Sequence, residues 1–208
     1  MTFYRFARAV VLSACKVVFR VRVVGKDLVP RSGAYIVAPS HRSILDVPFS
    51  AFITRRPIRF LAKEELFAHR IGAALFGALG AVRVERGTAD RGALRALEQG
   101  LAGGSPVAVF PEGTRGSGPR ITPLFGGAAF LAVKLGVPIV PVGVGGSEGI
   151  LPKGKVLPRP RRVAVVVGKP VVPPAVDGRS RRSAADQVTA ELAAELQRVF
   201  TEALAIAT

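Results

Sequence analysis

Two short segments hold most of the residues that could do chemistry. His41-Arg42-Ser43-Ile44-Leu45-Asp46 sets a carboxylate a fixed distance along the chain from an imidazole. Phe110-Pro111-Glu112-Gly113-Thr114-Arg115 puts a second carboxylate and a guanidinium on one tight turn. Histidine is the natural base near neutrality because its reference pKa is about 6.5, and a neighbouring carboxylate can fix its tautomer. On a regular helix, side chains five residues apart point about 140° from one another. His41 and Asp46 therefore meet only if His41 stands in the turn before a helix and Asp46 lies in that helix's first turns. Ser43, a good N-cap residue, places the helix start where this requires. Ser43-Ile44-Leu45-Asp46 also reads as a capping box, with Asp46 structural and His41 an incidental turn residue. Glu112 and Arg115 likewise read in two ways. They form a local ion pair worth at most about 1 kcal/mol if exposed, or a grip for an anion, which a guanidinium fork holds well.

Both segments follow apolar runs of strand character, Ala34 to Ala38 and Val107 to Phe110. Apolar runs alternate with helical stretches along the chain. They predict strands at 20–24, 34–38, 58–62, 81–85, 107–110, 139–144 and 162–168, and helices at 3–18, 44–54, 64–78, 90–102, 126–136 and 184–205. The helix from about residue 90 stops at Gly103-Gly104, and the last opens with a capping pattern from Ser183 to Asp186. This alternation implies βαβ units: a single α/β domain, its largely parallel sheet flanked by helices, with an amphipathic N-terminal helical segment. In such sheets, groups just past the strand C-terminal ends converge on one crevice. The base, its acid, the second carboxylate and the arginine then share one site. We divide the chain into a docking segment, 1–24, and a main domain, 25–208.

A net charge of +16 asks for an anionic partner. Nucleic-acid binders pair a basic face with exposed aromatics or a recognition helix. Here there is no Trp and only 2 Tyr, and the clusters at 159–162 and 179–182 lie in Pro-, Gly- and Ser-bearing connections. An anionic membrane uses the charge equally well, at roughly 1 kcal/mol per basic residue near the surface. It also explains the apolar run Ala9–Phe19, broken by Lys16 and flanked by Arg5, Arg8, Arg20 and Arg22. That pattern fits a helix lying in the interface; it is too interrupted to span a bilayer. A lipid membrane is the expected partner and nucleic acid is not. Cys15 is the only cysteine, so no internal disulfide forms. The apolar run before it is too short for a signal peptide, and we read it as a small apolar residue of the first helix.

Other chemistries fail on the sequence. Gly145-Gly146-Ser147-Glu148-Gly149 matches a nucleophile elbow, but Pro152 and Gly154 follow where a helix is needed. Both histidines precede Ser147, whereas that elbow needs a later one. His69 has Glu65 one turn back and reads as a surface residue. Two histidines and one cysteine support no metal site, and no phosphate-loop pattern is present.

His41 and Asp46 match the His-x4-Asp motif, and Phe110–Arg115 the Phe-Pro-Glu-Gly-Thr-Arg motif, of the glycerolipid acyltransferases typified by 1-acylglycerol-3-phosphate acyltransferase. Gly80–Arg86 resembles the family's second block and Val137–Val142 its fourth, all in the family's order. The resemblance implies transfer of a fatty acyl group from acyl-CoA or acyl carrier protein to 1-acylglycerol 3-phosphate, forming phosphatidate. It implies His41 as base and Asp46 as its orienter, with Glu112 on the glycerol hydroxyls and Arg115 on the phosphate. Gly113 and Thr114 belong to the same substrate-binding turn; Arg86 and Lys63, each just past a strand, read from their positions as further phosphate contacts. No cofactor is implied, and the expected location is the cytoplasmic face of the cell membrane. Glycerol 3-phosphate or another lipid alcohol as acceptor, and a basic membrane-binding module without catalysis, remain the alternatives. The chain departs from the family at Ser40, where asparagine is common. It departs again at Leu124-Phe125-Gly126-Gly127, where members often carry lysines, which leaves Arg120 to compensate.

Overall fold

The computed structural model describes residues 2–63, 80–84, 91–150, 158–176 and 180–208. The helix expected at 64–78, with His69 and Glu65 in it, lies outside the described residues, as does Arg86. The strands are β1 (Arg22–Val24), β2 (Ile36–Pro39), β3 (Arg59–Lys63), β4 (Ala81–Val84), β5 (Val107–Ala108), β6 (Ile139–Gly145) and β7 (Ala164–Val167). The helices are α1 (Thr2–Phe19), α2 (Asp46–Ser50), α3 (Arg91–Ala102), α4 (Gly127–Leu135) and α5 (Arg181–Ala207). Each expected strand forms, with its ends within a few residues of the expected bounds.

The strands make one 7-stranded sheet in the order β1-β7-β6-β2-β5-β3-β4. From β6 to β4 every pairing is parallel; β7 runs antiparallel to β6, and β1 parallel to β7. β2 lies centrally, with Ile36 opposite both Val107 and Ile139. Its alternation sends Tyr35 and Val37 into the core beneath α1 and α2, and Ile36 and Ala38 into the core beneath α4 and α5. Full burial of Val37 or Ile36 stabilises the fold by about 1.5–3 kcal/mol each. β2, β5, β6 and β7 are apolar and buried along their whole length because both faces of the sheet are covered.

α5 lies unusually close to β6. A β carbon at Gly143 would stand 2.3 Å from the Val199 carbonyl oxygen, and one at Gly145 would stand 2.2 Å from that of Ala203. Glycine at these positions lets helix backbone rest directly on strand backbone. α5 begins earlier than expected, because Ser180 and not Ser183 caps it: the Ser180 hydroxyl accepts the Ser183 N–H at 3.1 Å. α3 stops as expected, with Gly104 at φ 73 and Ser105 N–H bonded back to the Gly100 carbonyl at 2.9 Å.

The division at residue 24 does not fall on a structural boundary. β1 completes the sheet edge, and α1 sends Cys15 and Phe19 into the main core, where Phe19 meets Phe49 edge to face at 5.6 Å. Burial pushes the Cys15 thiol pKa up. The opposite side of α1 carries an apolar stripe, Phe6, Val10 and Val17, exposed to 67%, 52% and 78%. By helical period these three share a face turned away from Cys15 and Phe19. Among the described residues, no helix is long and apolar enough to cross a membrane.

Candidate active site

β2 and β5 are parallel neighbours, so the turns leaving their C-terminal ends emerge side by side. His41 stands on the first turn and Glu112 on the second. Ser40, fully buried, ties the first turn to β6: its N–H bonds to the Val142 carbonyl, and its hydroxyl accepts the Val144 N–H at 2.9 Å. After Ser43 the chain bends into α2, whose first residue is Asp46.

Asp46 is fully buried and aims Oδ2 back at the preceding turn. That oxygen accepts the N–H groups of Arg42 at 2.5 Å and Ser43 at 2.6 Å, and lies 3.3 Å from His41 Nδ1. The capping box forms only in part, since the Ser43 hydroxyl takes the Leu45 N–H at 3.3 Å rather than that of Asp46. The two expectations for Asp46 therefore coexist: one carboxylate organises the turn and holds the imidazole. With Nδ1 so engaged, Nε2 is the nitrogen left for proton transfer. The His41 ring packs on Phe110 at 4.1 Å between centroids, and its side chain stays 18% exposed.

Glu112 does not pair with Arg115. It is 2% exposed, and Arg42 Nη1 donates to both of its oxygens, at 3.0 and 2.9 Å. Oε1 also accepts the His41 N–H at 2.8 Å, while Oε2 accepts the Thr122 N–H at 3.0 Å and its hydroxyl at 2.8 Å. Burial alone would raise the pKa of Glu112; the bonds from Arg42, His41 and Thr122 outweigh it and hold the group below its usual value. Arg115, in contrast, is exposed, with no ion-pair partner among the described residues. The Gly116 N–H bonds to the His41 carbonyl at 2.9 Å, which keeps Arg115 beside the histidine turn. Gly113 has φ 68, and a β carbon there would stand 2.7 Å from the ring of Phe125. It and Thr114 are exposed. Lys63 ends β3, at the same end of the sheet as His41.

An apolar cleft lies beside this site, enclosing about 450 Å³ when the solvent-open space at its entrance is included, and is lined by Arg8, Leu12, Val47, Pro48, Ser50, Ala51, Ile58, Phe60, Ala108 and Phe110. It reaches from Phe110, under the imidazole, along β5 and β3 to the end of α2. There Arg8 donates to the carbonyls of Ala51 and Thr54. Ser147 is fully buried and the residues directly after it, 148–150, form a turn, so it has none of the exposure of a nucleophile elbow.

Sequence reasoning missed Arg42, Thr122, Phe110 and Ser40. Arg42 carries one signal in retrospect: a β carbon at Gly116 would stand 2.6 Å from its Nη1, so the glycine after Arg115 makes room for it.

A 1-acyl-sn-glycerol-3-phosphate acyltransferase of Chlamydomonas reinhardtii is 34% identical over 163 residues, covering 74% of this chain and 48% of the relative. One of Bacillus subtilis is 27% identical, covering 73% of each. The chain thus spans about half the length of several curated relatives it matches. The crystal structure of the 1-acyl-sn-glycerophosphate acyltransferase PlsC from Thermotoga maritima superposes with a TM-score of 0.65 at 27% identity, covering 89% of this chain and 79% of that one. The family model described as Acyltransferase matches residues 20–145, from β1 through the dyad and the Glu112 turn to the end of β6, and the chain belongs to that family.

Proposed function

We propose that this chain is an O-acyltransferase working at a membrane surface. It moves a fatty acyl group from acyl-CoA or acyl carrier protein to the free hydroxyl of 1-acylglycerol 3-phosphate, forming phosphatidate. The observation that carries this reading is the His41–Asp46 dyad beside an apolar cavity, with Phe110 both lining that cavity and packing against the imidazole. The cavity holds the donor's acyl chain, and its mouth sets the thioester carbonyl beside His41.

His41 Nε2 removes the acceptor hydroxyl proton as the oxygen attacks the carbonyl carbon. Asp46 keeps the ring in the tautomer with Nδ1 protonated and balances the charge that the ring gains. The tetrahedral intermediate then collapses, the C–S bond breaks, and the thiolate leaves with the proton held on Nε2. No step calls for a bound cofactor. Arg115, exposed on the neighbouring turn, grips the acceptor phosphate, with Lys63 and Arg86 as further cations; Gly113 and Thr114 line the approach. The exposed stripe of α1, with Lys16 and Arg20 near it, docks the protein on the cytoplasmic face of the membrane, where acceptor and product reside.

The test is a panel of acceptors with palmitoyl-CoA: 1-acylglycerol 3-phosphate, glycerol 3-phosphate, 1-acylglycerol and lysophosphatidylcholine, with products identified by mass spectrometry. Phosphatidate should dominate, and Arg115→Ala should lose more on the phosphate monoesters than on 1-acylglycerol, because the lost contact is charge-assisted. Preferred turnover of another acceptor, or equal losses on all, would contradict the assignment.

A further inference from the structure

We propose that Glu112 is a positioning residue and not an acceptor ligand, and that Arg42 acts with it as one unit to hold the base; this rests on His41 being that base. The family resemblance points Glu112 at substrate hydroxyls. Its surroundings leave it no means to reach them.

A carboxylate offers about four lone-pair sites. Those of Glu112 are filled by His41 N–H, Arg42 Nη1, Thr122 N–H and the Thr122 hydroxyl, in a pocket that leaves the residue 2% exposed. A glycerol hydroxyl would have to displace one of these donors and bury itself.

Arg42 is equally committed. Its Nε donates to the Gly118 carbonyl at 3.2 Å, Nη1 to the His41 carbonyl at 2.9 Å, and Nη2 to the Arg120 carbonyl at 2.6 Å. The guanidinium also lies over the Phe200 ring of α5, 4.6 Å from its centroid. One buried ion pair thus joins the His41 turn, the 116–122 loop and α5.

The consequence falls on His41. Glu112 takes its backbone N–H, while Arg42 and Gly116 take its carbonyl. Both peptide groups flanking the catalytic side chain are pinned, and by the same ion pair. The imidazole needs that precision, because its bond to Asp46 is already 3.3 Å long. A small rotation of the turn would break it, and misplacement of a reacting group by about 1 Å can cost about 100-fold in rate. Thr122 completes the unit by holding Glu112 from the loop side.

The two roles separate in steady-state kinetics on the full chain. Glu112→Gln, Arg42→Lys and the double variant are assayed with palmitoyl-CoA and 1-acylglycerol 3-phosphate, below the melting temperature of each protein. The positioning role predicts that either single change lowers kcat about 100-fold while KM for the acceptor stays within a few-fold of wild type. The double variant should be little worse than the weaker single, as for residues acting as a unit. Thr122→Val removes only a hydroxyl, so it tests the same claim if the ion-pair variants fail to fold; it should lower kcat several-fold with KM unchanged. The proposal is overturned if Glu112→Gln raises acceptor KM tenfold or more at near-normal kcat, if the single effects multiply in the double, or if Thr122→Val keeps wild-type kcat. His41→Ala in the same series tells the two readings apart. Should it keep activity, the assignment of the base fails, whatever Glu112 does.

Discussion

Filling the apolar cavity should change which acyl chain is transferred. Ala51 lines the cavity at the end of α2 remote from His41, and it is only half-buried, so a larger side chain there does not strain the sheet. Ala51→Leu puts an isobutyl group where a methyl was, taking the room of about three chain methylenes. Each methylene taken out of water gains about 0.8 kcal/mol, so a long donor loses about 2.4 kcal/mol that a short donor never had. At about 1.4 kcal/mol per tenfold, this is about 50-fold. The assay compares kcat/KM for palmitoyl-CoA and octanoyl-CoA with the acceptor held constant. The ratio of the two should fall by up to this amount, mainly through loss on palmitoyl, while octanoyl turnover shows that the dyad is intact. A ratio unchanged within threefold would refute the placement of the acyl chain in this cavity.

Asp46→Asn should lower kcat about 1,000-fold or more with little loss of fold, because an amide oxygen can still accept the N–H groups of Arg42 and Ser43; near-normal kcat would reduce Asp46 to a turn former. Phe6→Ser, Val10→Ser and Val17→Ser together should weaken sedimentation with anionic vesicles tenfold or more without changing the melting temperature, since that stripe faces away from the core. Equal sedimentation would move the docking surface elsewhere. The depressed pKa of Glu112 fixes a pH dependence. Its stabilising contribution is present above its ordinary value of 4.5 and is lost as pH falls through the lower folded value. The gap in melting temperature between wild type and Glu112→Gln should thus be largest near neutrality and narrow below pH 4.5. A gap constant across that range would mean that the charge of Glu112 does not stabilise the fold.

The inner strands were legible because each is an apolar run bounded by turn residues, and a sheet covered on both faces needs no finer pattern. The helix after His41 was legible only in part. The pattern over 44–54 suggests a continuous helix, but α2 runs Asp46–Ser50 and passes into a 3₁₀ turn at Ala51–Ile53. The dyad could be inferred because both members lie on one short turn whose geometry a local rule constrains. Arg42 could not. It is one of 30 basic residues, and its carboxylate partner is 70 positions away. Only the parallel pairing of β2 with β5 brings them together. The ion-pair partner of Glu112 was hidden for the same reason: its nearest cation in sequence is Arg115, and its nearest in space is Arg42. The cavity was invisible because its lining comes from α1, α2, β3 and β5, each contributing residues that read simply as core.

The central claim is that His41 is the base for acyl transfer to a lipid hydroxyl, and phosphatidate formation by wild type and His41→Ala tests it most directly. Both purified proteins are given palmitoyl-CoA and 1-acylglycerol 3-phosphate in vesicles, and phosphatidate is followed by mass spectrometry, with circular dichroism confirming equal folding. The account predicts steady formation by wild type and a fall of at least about 1,000-fold in the variant, the order expected for losing a base. Phosphatidate formed by His41→Ala within tenfold of the wild-type rate would contradict it.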